Sequence, residues 1–363
     1  MSTTDSTRVD ILDPLRGLAA LAVAWFHFTH GGHLLADGWL KSTGTYGWLG
    51  VEAFFVISGF VLPLSLYRGR YRLRSHALTF VLKRIVRLDP PFIATIALTV
   101  ALAYASTLAP GFAGAPPSFT WTNILLHLGY LNAIVGQPWI NPVFWTLAVE
   151  FQFYILIALA FPVLMAIPRP YRGVATVALG ALTFAWPDRG HVIFYLPLFA
   201  FGVATFDHFT GRVGRTQYAL TLAGLTLVGL LSMGWPMAAM GLATALVVAF
   251  VRVRVPRWLA SMGLLSYSLY LVHVPIGGRV VNLGTRWADT LPAQLAVLVV
   301  AVALSLAAAY AMYWLVEKPS QRLSSAIRYR QPDASRERAT ERPPAGPAQL
   351  SERSVTSTAE TPR

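Results

Sequence analysis

Apolar residues run along this chain in ten blocks separated by short polar stretches, at 15–34, 46–67, 85–107, 143–166, 173–187, 191–207, 217–233, 236–251, 262–282 and 292–316. A hydrocarbon core about 30 Å thick is crossed by about 20 helical residues. Backbone in lipid must satisfy its own hydrogen bonds, which runs of this kind do as helices. The pattern predicts an all-α, polytopic integral membrane protein with about ten transmembrane helices. The fifth to eighth blocks are short, and tilted or partly re-entrant helices are expected there. Residues 107–142 carry no Asp, Glu, Lys or Arg; they open with Pro and Gly (APGFAGAPP) and turn apolar around His127 and Asn132. From 320 to 363 the chain is rich in Arg, Glu, Pro, Ser and Thr, which predicts a disordered cytoplasmic tail. The expected organisation is thus one transmembrane domain, 1–319, and a tail, 320–363.

Charge sharpens the topology. Charged residues make up 12% of the chain, about half the share usual in soluble domains, and mean hydropathy is +0.54. The net charge of +13 could point to nucleic acid, but its basic residues fall in loops between apolar blocks, so no nucleic-acid partner is expected. Sorting alternate loops gives one side Arg8, Arg16, Arg68, Arg70, Arg72, Arg74, Lys83, Arg84, Arg87, Arg169, Arg172, Arg212, Arg215, Arg252, Arg254 and Arg257. The other side receives only Lys41, Arg189, Arg279 and Arg286. The positive-inside rule then places both termini in the cytoplasm, and an even number of spans agrees. A cleavable signal is rejected, because Asp10 and Asp13 spoil a basic n-region. The chain has no Cys, which excludes disulfide frameworks, thiolate catalysis and Cys-ligated metals.

Few polar residues remain inside the blocks, and each can be weighed. Arg16 and His27 are eleven residues apart in the first helix, about three turns, so they share a face with about 16 Å of rise between them. An Arg at the boundary then puts His27 near the midplane, where an ionisable group marks a functional site by default. His30 lies about one turn on, as a supporting partner or an interface residue. Arg84 and Arg87 share one face of a helix start, and their forked guanidinium groups suit a polyphosphate such as that of coenzyme A; topology accounts for them equally well. Glu150 lies in the fourth block with Gln152 and Tyr154 close by; it either forms a salt bridge to Arg16 or His27 or orients the His27 tautomer. In the ninth block Tyr270 and His273 fall on one side, His273 as a second site histidine. Glu317-Lys318-Pro319 reads as a helix stop.

Six stretches in order resemble the acyltransferase-3 family of polytopic membrane O-acyltransferases. These are LDPLRGLAALAVAWFH with its Arg, ten residues, then His; GVEAFFVISGF with Glu52 where Asp is usual; KRIVRLDP; FWTLAVEFQFY with Thr146 for Ser and Phe151 in place of a second acid; SYSLYLVH; and EKP. The resemblance covers about Asp10 to Arg322. It implies transfer of an acyl group, usually acetyl, from acyl-CoA as co-substrate to a hydroxyl of a bacterial surface glycan, glycolipid or macrolide, in the cytoplasmic (inner) membrane. Because the chain ends in the expected cytoplasmic tail, a stand-alone transferase without the esterase-like domain fused to some members is expected. No metal is expected.

The resulting expectation has His27 as general base, with Glu150 or His273 orienting it or the acceptor. Arg16, Arg84 and Arg87 hold the donor phosphates, and His30, Tyr154 and Tyr270 bind substrate. An acyl-His intermediate is an alternative route. The rival from another class is a proton-coupled transporter using His27, Glu150 and His273 as a relay.

Overall fold

The computed structural model describes residues 10–109, 112, 114, 116–252 and 255–329, and no strand occurs among them. Ten principal helices run in order: α1 (Leu12–His30), α2 (Gly50–Arg68), α3 (Leu73–Thr107), α4 (Phe144–Ala166), α5 (Arg172–Ala181), α6 (Val192–Phe209), α7 (Arg215–Ser232), α8 (Trp235–Phe250), α9 (Arg257–His273) and α10 (Leu291–Met312). Among the described residues, six helical stretches are long and apolar enough to cross a membrane: Trp39–Arg68, Leu73–Thr107, Phe144–Ala166, Val192–Phe209, Leu259–Gly284 and Leu291–Ala326. The protein is an all-α polytopic membrane protein. α8 is apolar but shorter, and the 10 residues of α5 extend only about 15 Å.

α2 and α6 are buried nearly all round, as their lack of a polar face requires. They meet through glycines: a Cβ on Gly59 would collide with the Phe199 carbonyl, and one on Gly202 with the Val56 carbonyl. Without side chains there, the two backbones touch, the usual device for helices that lipid does not drive together. Phe153 of α4 stacks on Phe199 at 3.9 Å between ring centroids, which brings α4 onto the same pair.

Two boundaries differ from the sequence expectation. α3 begins at Leu73, not near 85, because its first turns have a buried side of their own: His76 and Phe80, one turn apart, pack with Tyr71. At the other end α10 does not stop at Glu317. It widens into a π segment, Tyr313–Glu317, and continues as the helix Lys318–Ala326, so residues 320–326 are helical, not tail. Lys83 Nζ donates to the carbonyls of Ser324 and Ile327 at 2.9 and 2.6 Å, and Ser324 Oγ donates to the Lys83 carbonyl at 2.7 Å. These bonds cap the last helix onto α3. The rest of the expected tail, from residue 330, lies outside the described residues.

Candidate active site

α1 and α9 run parallel and in step because small residues let them meet: Gly17 lies against Met262 and Gly263, and Gly263 against Asp13. Ten residues further along both helices, the same register brings His27 Nδ1 within 3.2 Å of His273 Nε2. His273 Nδ1 donates to the Leu269 carbonyl at 3.1 Å, so a neutral His273 keeps Nε2 as an acceptor. His27 Nδ1 thus lies between two acceptors, that nitrogen and the Val23 carbonyl at 3.0 Å, and carries the proton. In the neutral ring this tautomer leaves a bare lone pair on Nε2. His273 is fully buried and His27 half-buried, as a reactive ring and its support would be. Asn141 Nδ2, at the end of the 107–142 segment, donates to the Leu271 carbonyl at 3.1 Å and ties that segment to this part of α9.

Tyr270 is next towards the start of α9. Its ring lies 5.9 Å from that of His273, and its hydroxyl hydrogen-bonds Thr146 Oγ1 of α4 at 2.7 Å. Tyr270 and Thr146 line a small cavity of about 50 Å³ together with Arg16, Ser58, Glu150 and Tyr267. Ser58 Oγ of α2 donates to Glu150 Oε1 at 2.7 Å, and Tyr267 donates to the Leu88 carbonyl of α3 at 2.8 Å. Arg16 enters from α1 beside the Phe54 ring, 6.0 Å from its centroid, with Nε buried and unpartnered.

Two more cations lie near Arg16, outside the lining of the cavity. The Arg84 guanidinium lies over the rings of Phe80 and Tyr154, at 5.2 and 5.6 Å. Arg87 feels the charges of Arg84, Arg16 and Glu317. None of these three guanidinium groups has a hydrogen-bond or ion-pair partner among the described residues. Glu317 is 4% exposed and accepts from Ser268 Oγ and, at 2.9 Å, from Gln321 Nε2. Three cations against two nearby carboxylates, Glu317 and Glu150, each already hydrogen-bonded to a serine, leave this end net positive, the condition under which an anion is drawn in.

Arg16, Glu150 and Tyr270 thus line the cavity itself, and other expected site residues adjoin it by contacts: Tyr154 under Arg84, Arg87 near Arg16, and His273 with His27 next to Tyr270. Two expectations change here. Glu150 makes no contact with His27; Ser58 holds its carboxylate, and the group that touches His27 is His273. His30 stacks on Phe26 and hydrogen-bonds Thr29 Oγ1 at 2.9 Å, so it belongs to the packing of the 31–49 loop and not to the cavity. Sequence reasoning missed Glu317, taken for a helix stop, although a carboxylate at a membrane boundary was a usable signal. Ser58 and Ser268 gave none, because hydroxyls are common in such helices and serve their own backbone.

An all-helical membrane protein with this arrangement is a membrane acyltransferase: the chain belongs to the Acyltransferase domain family, whose profile matches residues 9–314. That membership supports the acyltransferase reading over the transporter one. Over 298 residues the chain is 28% identical to the putative membrane-bound transacylase BcsY of Komagataeibacter xylinus, covering 73% of this chain and 72% of that one. Over 236 residues it is 28% identical to the O-acetyltransferase OatA of Staphylococcus aureus, covering 62% of this chain but 34% of OatA, so it aligns with about a third of that protein. No solved structure matches.

Proposed function

We propose that this protein transfers an acyl group, acetyl in the simplest case, from acyl-CoA to a hydroxyl of a glycan, glycolipid or macrolide acceptor. The observation that carries the reading is a succession of neighbours: Arg84 and Arg87 near Arg16, Arg16 and Tyr270 on one cavity, and Tyr270 against the His27–His273 pair. Arg84, Arg87 and Arg16 hold the donor phosphates, and the acyl-pantetheine arm extends into the cavity. His27 Nε2 takes the proton of the acceptor hydroxyl as its oxygen attacks the thioester carbonyl. The C–S bond breaks, the acyl group passes to oxygen, and the CoA thiolate leaves with a proton returned from His27. His273 fixes the His27 tautomer, as a second group orients the base in nucleophile–base–orienter systems. The basic loops put the donor end, with both termini, on the cytoplasmic side of a bacterial cytoplasmic membrane.

The test is release of free CoA by purified protein given acetyl-CoA and a crude glycan-lipid extract, beside His27→Ala and His27→Gln. Release that needs both extract and His27 is expected, with a loss of about 10²- to 10⁴-fold in the variants. Full activity in either variant, correctly inserted, would remove His27 from the chemistry. Acetyl-CoA that neither binds nor turns over would remove the donor.

A further inference from the structure

A fourth arginine stands apart from the donor end. Arg279 opens the short helix Arg279–Gly284, which continues α9 past His273 through a π segment, Val274–Gly278. Such segments recur at functional positions. Six residues separate Arg279 from His273, less than two turns, in the direction away from Arg16. Across the bundle its Nη2 reaches the Thr99 carbonyl of α3 at 3.4 Å, the long limit of a hydrogen bond. Thr99 is twelve residues beyond Arg87, about 18 Å of rise, and His27 is eleven beyond Arg16, about 16 Å. The Thr99 carbonyl that Arg279 reaches therefore lies about as far along the bundle from the donor arginines as His27 does.

Its partners do not account for its charge. Arg279 is half-buried, its Nε is buried with no hydrogen bond, and no carboxylate among the described residues acts on it. An arginine that merely anchors a helix end puts its guanidinium in water or among headgroups. Here Nε is enclosed without a partner, one nitrogen of the fork makes a single long hydrogen bond, and the remainder of the half-buried guanidinium is open to a ligand. Buried cations in membrane proteins pair with an anion or line a substrate path. The guanidinium fork matches phosphate oxygens two at a time.

We propose that Arg279 seats a phosphate oxyanion of the acceptor, beside the His27–His273 pair and opposite the donor arginines. The substrate class this selects is a phosphate-bearing glycolipid. The assignment to the acceptor rests on the acyl-transfer reading above; the phosphate seat itself does not, and a bilayer phospholipid headgroup offers the same chemistry.

Binding of farnesyl phosphate and of farnesol to the protein in phosphatidylcholine nanodiscs, with excess CoA present, tests this without turnover. Wild type is expected to prefer the phosphate by about tenfold, Arg279→Gln to bind both alike, and Arg279→Lys to keep part of the preference. A preference that survives in Arg279→Gln, or none in wild type, overturns the proposal. Gel filtration accompanies each variant, and Arg279→Lys carries the test if Arg279→Gln does not fold. Discs containing phosphatidylglycerol separate the sources: a lost preference assigns the seat to the bilayer and overturns the acceptor assignment, whereas a retained one supports the acceptor. Farnesyl phosphate bound through Arg279 in a protein that releases no CoA would sink the acyl-transfer reading alone.

Discussion

His273 cannot easily serve as a base itself, because its Nδ1 is committed to the Leu269 carbonyl and its Nε2 faces His27. Its role is to hold His27, and this separates two variants. His273→Asn, which retains a group able to hydrogen-bond, is expected to lower kcat by about 10- to 100-fold with the KM for acetyl-CoA unchanged, as loss of an orienting group does. A rise in that KM would argue against a purely positioning role. The opposite split applies at the donor end. Arg84→Gln and Arg87→Gln should each raise the KM for acetyl-CoA about tenfold with kcat nearly unchanged, and should weaken its salt dependence; steady-state kinetics at two ionic strengths measures both. The spacing of Arg16 and His27 was legible in the sequence because a helix alone sets it. The His27–His273 contact was not, because it depends on where Gly17 and Gly263 let two helices touch.

Charge counting treats Arg172 as a loop cation, yet it is 1% exposed at the first residue of α5. Its Nε donates to Asp207 Oδ2 at 2.9 Å, a second nitrogen of its fork bonds Asp207 Oδ1, and Nη1 donates to the Leu164 and Ile167 carbonyls at 2.8 and 3.2 Å. One side chain thus closes the end of α4 and joins α5 to α6. Asp207→Asn leaves that guanidinium buried against a neutral partner and should destabilise the protein by about 3 kcal/mol. Thermal unfolding in detergent reads the change, and an unaltered midpoint would show the pair to be dispensable. Sequence patterning located α4 and α6 well, since long apolar runs mark themselves. It misplaced the start of α3, where His76 and Phe80 bury a short side among basic residues, and it could not tell a buried arginine from a topological one.

The membrane class and the family were both readable before any coordinates, because six ordered motifs survive where each alone means little. The number of crossings was not: among the described residues the ten apolar blocks become ten principal helices, of which six lie in stretches of spanning length and hydropathy. Having no cysteine, the chain allows direct mapping. Single cysteines at Arg70 and at Ser42 should label from opposite faces of right-side-out vesicles with an impermeant maleimide; labelling from one face would reverse the charge-based topology. The π segment after His273 carries a last implication, about length. A turn closed by i→i+5 bonds takes in one residue more than an α turn, so it absorbs an insertion without rotating the helix beyond it. Removing Ile276 should let that turn close to α geometry and leave Arg279 facing the same way. Removing Leu271, inside α9, would swing His273 and every later residue of that helix by about 100°. Recoverable folded protein after the first deletion and none after the second would mark Val274–Gly278 as the joint at which this helix can gain or lose a residue while its two ends keep their aim.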